Sequence, residues 1–300
     1  MRARRLIAVM LMFLPLLAAA ELQVVIIEGL GGEPRYAEQF AEQVSAIESA
    51  AGGLTSSERV SVFRSGEFTR DSLIAFFTQL ENRMRSDDRL AVYLVGHGSY
   101  DDHEYKFNIA GPDITDGDLA DMLDGVAGGQ LVVNTSSSSG ATLDRLKGDE
   151  RILILATRSG AERHATRFGN YFAAALSEPS ADLDKNRVVT AEEAFGFAER
   201  QVADFYERNG QLATEHPRLE GEQAARFSLA RLGAAPQVTS DSQMRVLLAR
   251  RDALNAEIED LRLRRDSMAP DEYQAELLNH MFELATLEEE IERREAELDN

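Results

Sequence analysis

The chain of 300 residues contains no cysteine. That excludes a thiol nucleophile, a disulfide framework and lipid attachment through an N-terminal cysteine, so stability must come from packing, with or without a bound metal. Cationic side chains are scarce as well: 32 Lys and Arg stand against 52 Asp and Glu, a formal charge of −20. A surface of that sign repels phosphate backbones and anionic lipid, which argues against nucleic-acid and membrane-surface partners. Long apolar runs are missing after the first twenty residues. The one at the start, Leu6 to Leu17, follows Arg2, Arg4 and Arg5 and ends in Ala18-Ala19-Ala20. It is short for a span of ~20 residues and contains Pro15, so it reads as a signal peptide over 1–20 with cleavage before Glu21. Its removal takes away three arginines and moves the formal charge from −20 to −23. The expectation is an exported protein, periplasmic or secreted, with no membrane attachment once the leader is gone.

Hydrophobic residues make up 44% of the chain, ample for a sizeable core. Leu22 to Ile27 is a Val/Ile-rich run suited to a strand covered on both faces, followed by a Gly-rich turn and a helix with Tyr36, Phe40, Val44 and Ile47 on one side. Arg59 to Phe63 reads as a strand. A helix carrying Leu73, Phe76, Phe77, Leu80 and Met84 follows, capped by Thr69 or Asp71. Leu90 to Val95, Leu131 to Val133 and Ile152 to Ala156 are further strands; between them lie a short strand or hairpin at Glu104 to Ile109, a short helix at Asp113 to Leu123, and another at Ala141 to Leu146. Alternating strands and helices predict an α/β domain over 21–232 with a mainly parallel sheet flanked by helices. Gly233-Ala234-Ala235-Pro236 marks a linker over 233–240. Beyond it, 241–300 reads as an antiparallel helical hairpin or coiled coil. Met244, Leu247, Leu254, Ile258 and Leu261 form one seam, and Leu277, Leu284, Leu287, Ile291 and Leu298 the other, with Pro270 at the turn. Such a hairpin either packs back on the domain as a strut or recruits a partner, in a homo- or hetero-oligomer.

Two of the strands open into polar loops. Leu90 to Val95 leads into Gly96-His97-Gly98-Ser99, and Leu131 to Val133 leads into Asn134-Thr135 and the serines 136–139 before Gly140. In parallel sheets the carboxyl ends of adjacent strands collect ligands and catalytic groups. On these blocks the chain resembles the caspase-fold peptidases, in particular the legumain-like family and its bacterial relatives. The resemblance extends from Leu22 to about Leu219 and takes in Ala156-Thr157 and Phe168-Gly169-Asn170-Tyr171-Phe172. It implies a caspase-like sheet, His97 in the acid/base position and the Gly98 amide at the oxyanion site. It also implies Ser137 where the family has its cysteine, or Ser136 if the loop is counted forward from the strand. A serine needs a well-aligned base that a thiol can do without.

Three readings follow: an inactive pseudoenzyme that binds a peptide or protein ligand, an active Ser-His hydrolase, or serines that merely cap the next helix while His97 is a satisfied turn residue. A purely structural envelope or assembly role for the coiled coil is a further alternative. The resemblance also implies that Arg158 and Ser159 line a substrate pocket, where Arg158 suits an acidic group; the competing reading is an exposed arginine paired with Asp or Glu.

Residues 182–193 match a twelve-residue calcium loop at several positions. Asp182, Asp184 and Asn186 stand at one, three and five, the Val188 carbonyl at seven, Thr190 at nine and Glu193 at twelve. Hard oxygen donors at this spacing suit Ca²⁺. Arg187 occupies position six, where the turn favours glycine, and its charge opposes a cation. Without an ion the same residues make turn hydrogen bonds and a capping box at Thr190 and Glu193. His103 sits in the acidic run Asp101 to Glu104, whereas His164, His216 and His280 lack partners at ligand spacing.

Overall fold

A computed structural model describes residues 21–232, 241–263 and 268–298. The expected leader and linker lie outside the described residues. Among those described, no helix is long and apolar enough to cross a membrane.

In chain order the elements are β1 (Leu22–Glu28), α1 (Pro34–Gly52), β2 (Val60–Phe63), α2 (Arg70–Glu81), β3 (Arg89–Val95), β4 (Gly98–Tyr100), β5 (Tyr105–Phe107), β6 (Ile114–Thr115), α3 (Asp116–Asp124) and β7 (Gly129–Asn134). They continue with α4 (Leu143–Leu146), β8 (Arg151–Leu155), α5 (Phe168–Ala175), β9 (Val188–Thr190), α6 (Ala191–Arg208), β10 (Arg218–Glu220), β11 (Ser228–Arg231), α7 (Ser242–Leu263) and α8 (Pro270–Leu298). The main sheet has six strands in the order β10-β8-β7-β3-β1-β2, all parallel except β10.

Period-two alternation explains why these strands are apolar throughout: side chains alternate between two cores. Val24, Ile26, Tyr93, Val133 and Ile154 meet α1, α5 and α6 through Phe40, Val44, Phe172 and Ala198. Val25, Ile27, Val92, Leu94 and Leu155 face the opposite layer, with Phe77 and Leu80 of α2, Leu123 of α3 and Leu146 of α4. Each fully buried side chain of this size contributes roughly 1.5–3 kcal/mol.

The caps follow the sequence. Thr69, Thr115 and Thr190 each accept from the N–H three residues on in reciprocal capping boxes, and Pro34 stands in the first turn of α1. Helix α2 stops at Glu81, leaving Met84 in the following turn. The excursion after β3 folds as a small antiparallel sheet, β4-β5-β6, in place of one hairpin. Pro270 opens α8, where its missing N–H costs nothing.

The hairpin is antiparallel: Met244 packs with Leu287 and Ile291, while Leu254 and Ile258 pack with Leu284 and Leu277. Leu298 is largely exposed. Arg251, which interrupts the heptads, is buried against Glu288 at 3.8 Å. The hairpin rests on the α/β domain through Arg187, whose guanidinium reaches Glu292 at 2.7 Å and Glu288 at 3.5 Å.

Candidate functional site

β3 and β7 are hydrogen-bonded neighbours with Leu94 opposite Asn134, so their carboxyl tips open side by side. His97 and Ser137 line one crevice with Tyr36, Gln39, Phe40, Gly96, Ala165 and Thr166. Its cavity is about 10 Å³, room for about one water.

The imidazole belongs to the α1 side of that crevice. Its ring meets the edges of Tyr36 at 4.7 Å and Phe40 at 5.0 Å, and Nε2 lies 3.2 Å from the Gly31 carbonyl. A carbonyl only accepts, so Nε2 carries the proton and Nδ1 is the nitrogen left with a lone pair. No hydrogen bond joins His97 to either Ser136 or Ser137, and among the described residues no carboxylate orients the ring.

The hydroxyls are spent elsewhere. Ser137 Oγ donates to the Gly98 carbonyl at 3.0 Å. Ser136 is fully buried, with Oγ 2.6 Å from the Tyr105 hydroxyl, 2.8 Å from Asn134 Oδ1 and 3.1 Å from the Ser137 carbonyl. Burial pushes the Tyr105 phenol up to about 12, so it stays protonated as part of this network. Ser139 Oγ pairs with Thr157 at 3.2 Å and accepts from the Thr157 N–H at 3.1 Å. Ser138 takes a left-handed conformation, φ 58°, and its buried Oγ has no hydrogen-bond partner among the described residues. The turn that follows has no side-chain cap, so the serines do not serve as helix caps.

Two glycines permit this closeness. A Cβ on Gly98 would lie 2.5 Å from Ser136 Oγ and 2.6 Å from the Ser137 carbonyl oxygen; one on Gly140 would lie 2.2 Å from the backbone of Arg158 and Ser159.

Arg158 and Ser159 follow β8, beside the serine loop. The Arg158 guanidinium is 64% exposed and pairs with Glu162 at 3.2 Å, which accords with the surface reading of this side chain. Glu162 also accepts from His216 Nδ1 at 2.6 Å and from the His216 N–H at 3.1 Å. Neither the Glu162–His216 pair nor the contact of Tyr105 with Ser136 was visible in the sequence, since their members stand 54 and 31 residues apart with no shared period.

At the opposite end of the fold, carboxylate oxygens of Asp182, Asp184 and Glu193 all lie within 4.8 Å of one another. Asp182 Oδ1 accepts from the Asn186 N–H at 3.1 Å and Oδ2 from the Arg187 N–H at 2.8 Å. Glu193 Oε1 accepts from the Leu183 N–H at 2.9 Å and Oε2 from the Thr190 N–H at 3.0 Å. Arg187 takes the positive φ that position six demands, 65°, and Lys185 does so at 61°. Val188 and Thr190 lie on β9, paired with β11. Burial, then the like charges of Asp184 and Glu193, raise the Asp182 carboxyl to about 6 despite the Arg187 N–H.

No protein-family profile matches the chain, and no curated protein matches it. Among solved structures it is similar to protein GSU0716 of Geobacter sulfurreducens, with 13% identity and a TM-score of 0.48 over 71% of this chain and 97% of that one. It is also similar to caspase-1 of Spodoptera frugiperda, with 14% identity and a TM-score of 0.45 over 67% of this chain and 88% of that one. Both likenesses concern the fold.

Proposed function

We propose that the chain is an exported peptidase-like domain of caspase and legumain type that binds a peptide or protein segment at the His97 and Ser137 crevice without cleaving it. The observation that carries the reading is the separation of roles inside the crevice: Ser137 Oγ gives its proton to the Gly98 carbonyl and His97 Nε2 faces the Gly31 carbonyl. A serine whose proton is held by a carbonyl, beside an imidazole with no orienting acid, lacks the base that makes an alcohol nucleophilic. Binding needs no such alignment. A fluorophosphonate probe is expected to leave Ser136 and Ser137 unlabelled; labelling that disappears in His97→Ala would establish the Ser-His hydrolase instead. Peptides selected on the full chain are expected to lose about tenfold or more in affinity on Ala165→Trp, which places an indole over the mouth of the crevice. Unchanged affinity would place the ligand elsewhere.

For the loop 182–193 we propose Ca²⁺. Its donor set is hard oxygen, its two left-handed residues sit at positions four and six, and the Arg187 charge turns outward to α8. Titration calorimetry against Asp182→Ala is the test, with heat of binding expected only in the unmodified chain.

A further inference from the structure

Asp88 is a buried carboxylate, 6% exposed, in the turn before β3, and neither the crevice nor the acidic loop uses it. Among the described residues no side-chain cation forms an ion pair with it: Arg85, three residues earlier, gives its guanidinium to Asp87 and acts on Asp88 only at longer range. Its two oxygens take backbone N–H groups instead. Oδ2 accepts from Arg85 at 2.9 Å, and Oδ1 accepts from Glu21 at 3.0 Å. Glu21 is itself held on both other sides, because its carbonyl accepts from the Arg89 N–H at 2.8 Å and its carboxylate pairs with Arg59. The nitrogen that meets Asp88 is therefore fixed in place by the first register position of the sheet.

We infer that Asp88 is the receptor for the α-ammonium group of the mature chain. The inference rests on the proposal of export with cleavage before Glu21. In the precursor the Glu21 nitrogen is an amide with one proton and no charge. Hydrolysis of the Ala20–Glu21 bond adds water across it, leaving a carboxylate on Ala20 and an ammonium on Glu21 at the same atom. The existing hydrogen bond then becomes charge-assisted, and the buried carboxylate gains a cation in direct contact in addition to the more distant Arg85. Leader removal thus strengthens the contact that holds the start of β1, a strand already paired on both sides.

The charged groups around the pair are Arg85 and Asp87 in the same turn, Arg59 on the Glu21 carboxylate and Arg89, whose Nη1 donates to the Arg226 carbonyl. Arg226, Asp149 and Glu150 line the adjoining groove.

The test compares a chain beginning at Glu21 with one beginning at Ala20, which moves the ammonium one residue out. The Glu21 chain is expected to melt at least about 2 °C higher at pH 6.5, with the advantage gone at pH 10 where the amine is neutral. By NMR its α-amine is expected to titrate about one unit above the usual value near 8, and at the usual value in Asp88→Asn. Equal melting of the two chains, or an unshifted amine in the Glu21 chain, overturns the pairing, and both readings survive a failure of Asp88→Asn to fold. Sequencing the N-terminus of the exported protein checks the cut separately: a first residue other than Glu21 overturns the role in the cell whatever the melting data show.

Discussion

The serine crevice and the acidic loop are both clusters of oxygen, and they settle in opposite ways. In the crevice the oxygens are hydroxyls, each able to donate and accept, so Ser136, Tyr105 and Asn134 close on one another and Ser137 closes on Gly98. In the loop the oxygens are carboxylates, which only accept. Backbone N–H groups take up five of their lone pairs, yet the three carboxylates remain within 4.8 Å of one another and Asp182 holds its proton to about pH 6. Neutral polar groups can satisfy themselves by mutual hydrogen bonding; a set of anions still calls for a proton or a cation. The first cluster is therefore built to be stable, the second to respond to solution conditions.

Steric disruption of the crevice has the largest expected effect. Gly140→Ala drives a Cβ to 2.2 Å from two backbone atoms after β8, neither of which can rotate aside. A loss of about 3 kcal/mol or more in urea unfolding is expected, against about 0.5 or less for Gly129→Ala, whose Cβ meets nothing within 4 Å. Equal losses at the two glycines would show that the loop yields and the network is not close-packed.

Tyr105→Phe is gentler, because it keeps the ring and removes only the hydroxyl. It leaves Ser136 and the Asn134 amide each short of a partner in a fully buried setting. The expected cost is about 1–3 kcal/mol, read from the urea midpoint at constant slope. The Ser137 bond to Gly98 does not involve Tyr105, so Ser137 is expected to remain unlabelled by fluorophosphonate in this variant.

The loop is expected to respond to pH through Asp182. Asp182 titrates near 6 in the folded chain against 3.8 for a free side chain, so the folded state holds its proton more tightly. Its contribution to stability is fully present below pH ~4 and is lost as pH rises through about 6. Asp182→Asn should flatten that part of the stability profile. Ca²⁺ should lower the titration midpoint, because the ion favours the ionised form; a midpoint unmoved at millimolar Ca²⁺ would count against binding.

Most of the scaffold was legible in the sequence, because its strands and helices announce themselves by period. The uninterrupted runs of β1, β3, β7 and β8 and the apolar stripes of α1 and α2 are local signals. β9, β10 and β11 were not, since Arg218–Glu220 and Ser228–Arg231 are short and become strands only by pairing with β8 and β9 far away in the chain. The same limit applies to the sites. His97, the serine run and the spacing of Asp182, Asp184 and Glu193 stand out locally. The groups that decide what those residues do, Tyr105, Gly31, Glu162 and Glu288, are brought in by tertiary contact.

Arg187 joins the acidic loop to the helical hairpin, and its replacement should have the smallest effect on stability. Arg187→Gly relieves a left-handed residue, worth about 1 kcal/mol, and gives up two part-exposed ion pairs to α8 that contribute ~0–1 kcal/mol each. These nearly cancel, so the unfolding midpoint should scarcely move. Two other readouts should. Amide exchange around Glu288 and Glu292 should accelerate as α8 loses its anchor on the loop, and Ca²⁺ affinity should rise several-fold as the opposing charge leaves position six. Faster exchange without tighter Ca²⁺ binding would make Arg187 a tether for the hairpin alone and detach the acidic loop from any ion.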